Sequence, residues 1–301
     1  SERIFMMDNP NLRLSGLVAI VTGASRGMGK AIAIAFAREG ANVAVVARSE
    51  SQWNEKLPGT IHETVAEITS FGGRAVAIPA DLGNPDEVEL AYQRSVEAFG
   101  SIDILVNNAA ITVPGRPPKA SDSGRNDLGT SAMKSKPRGP FGSFVDFPIS
   151  GVQRHMNVGF FAAYRLMQLV LPDMIAQRAG SIINISSIAG LLPGEGPYVA
   201  AGTPGPIAYG GNKAALHHLT QCVAQEMQIH SISVNVLSPS EPIITPGNLY
   251  AMAGNTDWAS PEDFAEATIR VALMKADTTT GQLLWDADVL HPELGRRGWL
   301  R

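Results

Sequence analysis

Tyr209 and Lys213 stand four residues apart in the stretch AYGGNKAAL, 208–216. In a helix that spacing puts a phenol and an ammonium group on one face, about one turn apart. Free tyrosine titrates near pH 10, so it needs help to act as a base near neutrality. An ammonium group about 5 Å away is worth about 3 kcal/mol at an effective dielectric of 20, enough to lower the phenol by about two pKa units. Gly210 and Gly211 lie between the two residues, and each costs about 1 kcal/mol relative to alanine in a helix interior. The expected reason for that cost is space beside a cofactor or substrate. A surface helix with an incidental pair has the same spacing, so the surrounding elements must decide.

Those elements alternate. LVAIVT, NVAVVA, RAVAIP, IDILVN, GSIINIS and ISVNVLS read as short, continuously apolar strands. Between them lie helical stretches such as GKAIAIAFAREG, VELAYQRSVEAFG, FFAAYRLMQLVLPDMIAQ and YGGNKAALHHLTQCVAQEM. Buried strands alternating with helices predict an α/β protein: a Rossmann-like, doubly wound parallel sheet, read as one domain over 1–301. Ligands of such sheets bind outside the carboxyl ends of the strands. Residues 1–14 are expected to form an N-terminal arm. Residues 112–147 break the alternation with Pro, Gly, Ser and basic residues, among them Arg116, Lys119, Arg125, Lys134, Lys136 and Arg138. They read as an inserted loop without a core of its own.

TGASRGMG, 22–29, joins the first strand to the first helix, where a dinucleotide-binding loop belongs. Gly23 permits a tight turn, Gly27 lets the backbone approach a pyrophosphate, and Gly29 allows helix to pack on strand. The free N–H groups at the helix start favour phosphate. The second strand ends in Ala47, Arg48 and Ser49, without the carboxylate that would bind ribose hydroxyls, and Arg26 waits in the glycine loop. Two arginines and no acid suit a 2′-phosphate, so the expected cofactor is NADP(H).

With these motifs in order, the sequence resembles the short-chain dehydrogenase/reductase family from about Leu14 to Leu284. The resemblance rests on TGASRGMG, ADL (80–82), NNAA (107–110), MNVGFF (156–161), NISSIAG (184–190) and YGGNK (209–213). It implies a catalytic set of Asn157, Ser187, Tyr209 and Lys213, with Asn157 linking Lys213 to solvent through a water. It also implies cofactor contacts from Gly23, Ser25, Arg26, Gly27, Met28, Gly29, Arg48, Ser49, Asp81, Leu82, Asn108 and Thr245, besides Tyr209 and Lys213. Ser187 would hold the substrate oxygen. The chain departs from the family at PSEPIITPG, where Ser240 replaces glycine, at Ala110, and in a last strand without Asp-Gly-Gly. The loop between Ser187 and Tyr209 is longer than usual.

Among the other candidates, His217 and His218 have no acidic or cysteine partner at metal-ligand spacing, so no metal site is expected. His155 falls on a different helix face from Asn157. Cys222, the single cysteine, reads as core. It excludes an internal disulfide, which fits a cytoplasmic location. The net charge of −4 argues against nucleic-acid or membrane partners, and SERIFMMDNP has an apolar run too short for a signal-peptide core.

The expected function is interconversion of a ketone and a secondary alcohol. Leu191, Leu192, Tyr198, Ile243, Leu249, Tyr250, Met252 and Trp258 are expected to line the pocket mouth and to favour a bulky apolar substrate. A non-catalytic NADP-binding regulatory protein of the same fold is the alternative, although it would need no activated phenol. A sugar-nucleotide epimerase fits less well, because neither its usual glycine spacing nor its larger C-terminal region is found here. Helices 158–175 and 209–227 are apolar on more faces than one sheet contact needs, which predicts a homo-oligomer, tetramer or dimer.

Overall fold

A computed structural model of the chain describes residues 12–52, 54–55, 57–111, 143–197, 201–202, 205–251 and 258–294. Most of the expected arm and insertion, all six basic residues named for that insertion, Tyr198 and Met252 lie outside the described residues.

The first half runs β1 (Val18–Thr22), α1 (Gly27–Arg38), β2 (Asn42–Ala47), α2 (Ile61–Ser70), β3 (Arg74–Pro79), α3 (Pro85–Phe99) and β4 (Ile104–Asn107). After residues 112–142 come α4 (Ile149–Met156), one π turn (Asn157–Phe161) and α5 (Ala162–Gln177). Next are β5 (Gly180–Ile185), a 3₁₀ turn (Ile188–Gly190), α6 (Ile207–Met227) and β6 (Ile232–Ser238). The last elements are α7 (Pro246–Ala251), α8 (Pro261–Ala272), β7 (Leu283–Trp285) and α9 (Asp286–Leu290).

The strands form one seven-stranded sheet in the order β3-β2-β1-β4-β5-β6-β7, with every pairing parallel. This is the expected Rossmann-like fold. Successive strand residues serve opposite faces. Ala19 and Val21 of β1 pack with Ile32 and Phe36 of α1 and Phe264 of α8. Val18 and Ile20 instead join Val88 of α3, Leu166 of α5 and Ala224 of α6. Because both faces are covered, β1, β4 and β6 are buried at every position. The strand order reverses between β1 and β4, which opens a crevice at their carboxyl ends.

Gly29 shows how tightly that junction is built. A Cβ there would lie 2.4 Å from the Gly23 carbonyl oxygen and 2.5 Å from Asn108 Nδ2. Only glycine lets α1 start this close to β1 and β4. Gly23 turns the chain with a φ of +67° and Gly27 with +56°, a region that L side chains rarely enter.

Residues Ile149–Gln177 form one helical run of 29 residues, long and apolar enough by length and composition alone to cross a membrane. Its Ala162, Leu166, Val170 and Met174 are buried in the core beside β4 and β5. The run is therefore accounted for as a core helix.

Candidate active site

Every residue expected to hold the cofactor lines one cleft at the strand-order reversal. Gly23, Ser25, Arg26, Gly27, Met28 and Gly29 form its floor, and Arg48 and Ser49 close the β2 end. Asp81 and Leu82 come from the end of β3, Asn108 from β4, Thr245 from β6–α7, and Tyr209 and Lys213 from α6.

The cleft has different chemistry at its two ends. At the glycine loop, Thr60, Asn84 and Ser260 cap α2, α3 and α8 with side-chain oxygens, whereas α1 has no side-chain cap at Arg26. Its first N–H groups are thus available to an anion. The Arg26 guanidinium donates to Ser49 Oγ at 2.9 Å and to the Gly59 carbonyl at 3.1 Å. Both acceptors are uncharged, and burial draws the Arg26 pKa below its ordinary value. Asp81 is the one carboxylate among the described lining residues, and it lies at β3 rather than β2. Asn108 braces the loop: its Nδ2 donates to the Thr22 carbonyl at 2.8 Å and its N–H to Thr22 Oγ1 at 2.9 Å.

At the other end, Lys213 is only 2 % exposed. Its Nζ donates to the Ile185 carbonyl at 2.6 Å and lies 5.7 Å from the centre of the Tyr209 ring. Burial pushes its ammonium down to about 8. Tyr209 shares a hydrogen bond with the Ser187 side chain, and Ser187 Oγ also accepts from the Ala189 N–H at 3.2 Å.

Four expectations are corrected here. Burial pushes the Tyr209 phenol up, and the Ser187 hydrogen bond offsets only part of that rise. The loss of water around the charged phenolate outweighs the nearby lysine, whose Nζ is held at Ile185. Second, a Cβ on Gly210 would lie 2.4 Å from the Ala189 carbonyl oxygen, whereas nothing lies within 4 Å of one on Gly211. Gly210 thus serves close packing of the 3₁₀ turn on α6, not space for a ligand. Third, Cys222 is exposed; it follows His218 by one turn on the outer face of α6, with Cys222 Sγ 3.6 Å from His218 Nε2. Of Ile243, Ile244 and Thr245, only Thr245 reaches the cleft. Ile243 is 1 % exposed and packs in the core, not at the pocket mouth.

Asn157 is not gathered into the cleft. It opens the π turn and is exposed, on the same outward face as Phe161 and Tyr164. The inward face carries Gly159, Ala162 and Leu166, and one turn before Gly159 it carries His155. The His155 ring stands edge-on to Tyr209, with centroids 6.4 Å apart.

The glycine loop, the parallel sheet and the phenol–ammonium pair thus occur together around one crevice. Residues 17–247 match the family described as short chain dehydrogenase. The chain belongs to the short-chain dehydrogenase/reductase family. It is 30 % identical over 281 residues to an L-rhamnose 1-dehydrogenase (NAD(P)(+)) from Sphingomonas sp. strain SKA58, covering 93 % of this chain and 88 % of that one. It is 34 % identical over 221 residues to the 3-oxoacyl-[acyl-carrier-protein] reductase FabG of Staphylococcus aureus, covering 73 % and 72 % of the two chains. A 7α-hydroxysteroid dehydrogenase solved with NADH and 7-oxo glycochenodeoxycholic acid superposes with a TM-score of 0.69. That pair is 27 % identical, covering 93 % of this chain and 96 % of the other. The chain is accordingly an oxidoreductase of alcohol- and ketone-type substrates.

A dinucleotide fits the residues present. The cleft brings an uncapped helix start, two positive-φ glycines and a half-buried guanidinium to one end, and the Tyr209 phenol with the Lys213 ammonium to the other. Sequence reasoning missed Leu57, Val158, Ser186 and Gly247 as lining residues. Only the fold brings those loops alongside the cleft. Gly59 was missed as well; its carbonyl holds Arg26, and a Cβ on it would lie 2.5 Å from the Ser25 carbonyl oxygen. Its φ of +112° is the consequence of that approach. The departures at the far end answer each other: the Ser240 N–H donates to Asp286 Oδ1 at 2.7 Å, and the Ala287 N–H to Ser240 Oγ at 3.3 Å. The residue that replaces glycine thus ties β6 to the start of α9.

Proposed function

We propose that the protein is an NADP(H)-dependent oxidoreductase that interconverts a ketone and a secondary alcohol, with Ser187, Tyr209 and Lys213 as its catalytic residues. The observation that carries this reading is the Tyr209 phenol, hydrogen-bonded to Ser187 and facing the cleft beside a buried Lys213. The dinucleotide, when bound, supplies or accepts the hydride at the substrate carbon. Gly23 to Gly29 and the N–H groups of α1 hold its pyrophosphate, and Asp81 and Leu82 flank the adenine. Ser187 Oγ–H donates to the substrate oxygen and fixes its position. Tyr209 delivers its proton to that oxygen as it becomes an alkoxide, and Lys213 offsets the charge left on the phenolate.

The choice of NADP(H) is supported by the half-buried guanidinium of Arg26, bonded to neutral oxygens, and by Arg48 on the same cleft. A bulky apolar substrate is supported by the exposed side chains around the carboxyl ends of β5 and β6, Ile188, Leu192, Ile244 and Leu249. Phe144, Val145, Ile149, Phe161 and Tyr164 are also exposed on and before the α4–α5 run, and water contact over that much apolar surface favours a homo-oligomer, tetramer or dimer. Light scattering at micromolar concentration should give a multiple of the chain mass; the mass of a single chain would refute the assembly. The reading as a whole is tested by following NADPH oxidation across ketones of graded size and polarity. Turnover should rise with apolar bulk, and no turnover with any ketone would leave only a dinucleotide-binding protein.

A further inference from the structure

His155 has no assigned part in the reading above. The imidazole lies on the inward face of α4 and meets the Tyr209 ring at 76°, with centroids 6.4 Å apart. Its Nδ1 is buried and has no hydrogen-bond partner among the described residues, while the ring as a whole keeps partial exposure. A buried polar atom without a partner costs about 1–3 kcal/mol, so its persistence needs a reason. Asn212, beside Lys213 on α6, presents a second buried acceptor without a partner, Oδ1. The two unpartnered atoms come from helices α4 and α6, which pack on each other, and buried polar atoms of this kind are the ones that a bridging water satisfies.

We propose that His155 is the proton conduit between bulk solvent and the Tyr209–Lys213 pair, the part that the family resemblance gives to Asn157. The proposal rests on the ketone–alcohol reading. In reduction, the Tyr209 O–H bond breaks as the substrate O–H bond forms. The phenolate recovers a proton from the Lys213 ammonium. The resulting amine recovers one from the His155 imidazolium through a bridging water, and the ring has taken that proton from solvent. One solvent proton is consumed per carbonyl reduced, and no electrons pass through these residues.

The groups around the ring suit this traffic. Tyr209 and Lys213 face it from α6, and Arg154 adjoins it on α4. Burial, then Arg154, then Lys213 hold its pKa below the ordinary histidine value. The ring is therefore neutral near pH 7 and carries the proton only in passing.

The test uses the full chain with NADPH and a ketone that the wild type reduces. His155→Ala should lower kcat at least about tenfold, the lower range for a lost proton-transfer group, and leave the KM for NADPH within about twofold, since a uniform binding loss would appear there. Added imidazole should restore part of the His155→Ala rate and leave the wild type unchanged. His155→Gln, which keeps bulk and polarity, should lose rate without recovery. Wild-type kcat in His155→Ala, or a loss that imidazole does not relieve, would overturn the conduit, because a ring that only packs against Tyr209 cannot be replaced by a diffusing base. Should His155→Ala fail to bind NADPH, His155→Gln decides: wild-type kcat there also overturns it. Absence of ketone turnover in the wild type would instead overturn the underlying reading, and the conduit with it.

Discussion

Arg26 and Lys213 both line the cleft, and their surroundings differ in kind. Arg26 is half-buried, bonded to the Ser49 hydroxyl and the Gly59 carbonyl, and remains charged at any physiological pH despite its desolvation. Lys213 is fully enclosed by α6 and β5, and its charge is conditional near pH 8. In the proposed function a permanent charge serves recognition of a phosphate, whereas the acid/base step needs a charge that can be lost and regained. The same sheet provides both because the loop after β1 leaves the glycine end open, while the 3₁₀ turn packs α6 down over the other end.

The contrast breaks most completely at Tyr209. Tyr209→Phe should lower kcat by at least about 10²-fold, the usual contribution of general acid–base catalysis, with dinucleotide affinity nearly unchanged. A rate above about a tenth of wild type would remove Tyr209 from the chemistry, since that deficit is only about 1.4 kcal/mol. At the other end, the wild type should prefer NADPH to NADH in kcat/KM by at least about tenfold, since a charge-assisted arginine–phosphate contact is worth about 1.5–3 kcal/mol. Ala47→Asp with Arg48→Ser should reverse the order by adding a ribose acceptor and a repulsion. An unchanged ratio in the double variant would show that the 2′-phosphate is not read there.

Lys213 sharpens the comparison through stability. Its folded pKa of about 8 lies below its ordinary 10.5, so between those values the unfolded chain binds more protons than the folded one. Stability from this group therefore rises with pH across that window, by up to about 3 kcal/mol, and the folded state carries the whole burden below pH 8. Denaturant titrations of wild type and Lys213→Met at pH 7 and at about pH 10 should show the wild type gaining relative to the variant. A constant difference would mean that Lys213 is not held below its free value. The smallest effects belong to the paired glycines. Gly210→Ala should destabilise by about 1–3 kcal/mol as its methyl meets the Ala189 carbonyl. Gly211→Ala, with open space around it, should stabilise by up to about 1 kcal/mol. Equal responses in melting experiments would contradict that assignment.

The parallel α/β architecture, the glycine loop and the Tyr209–Lys213 pair were legible in the sequence because each depends on local order. An apolar run of strand length, a glycine at a turn and a spacing of one helical turn keep their meaning whatever lies across the fold. Helical period even separates His155 from Asn157: stepping back four from Gly159 places His155 on the inward face, while Asn157 shares its phase with exposed Phe161 and Tyr164. What that inward face meets could not be read, because the Tyr209 ring arrives from another helix, 54 positions later in the chain. The same limit applies to Gly210, whose neighbour is a carbonyl from a separate turn, to Ser240, whose partner Asp286 follows the last strand, and to Cys222, whose outward orientation depends on how α6 rolls against β6. The sign of the Tyr209 shift was also decided by tertiary structure. Two charges at helical spacing predict attraction, but the folded chain takes water away from the phenol, and that desolvation prevails, offset only in part by the Ser187 hydrogen bond.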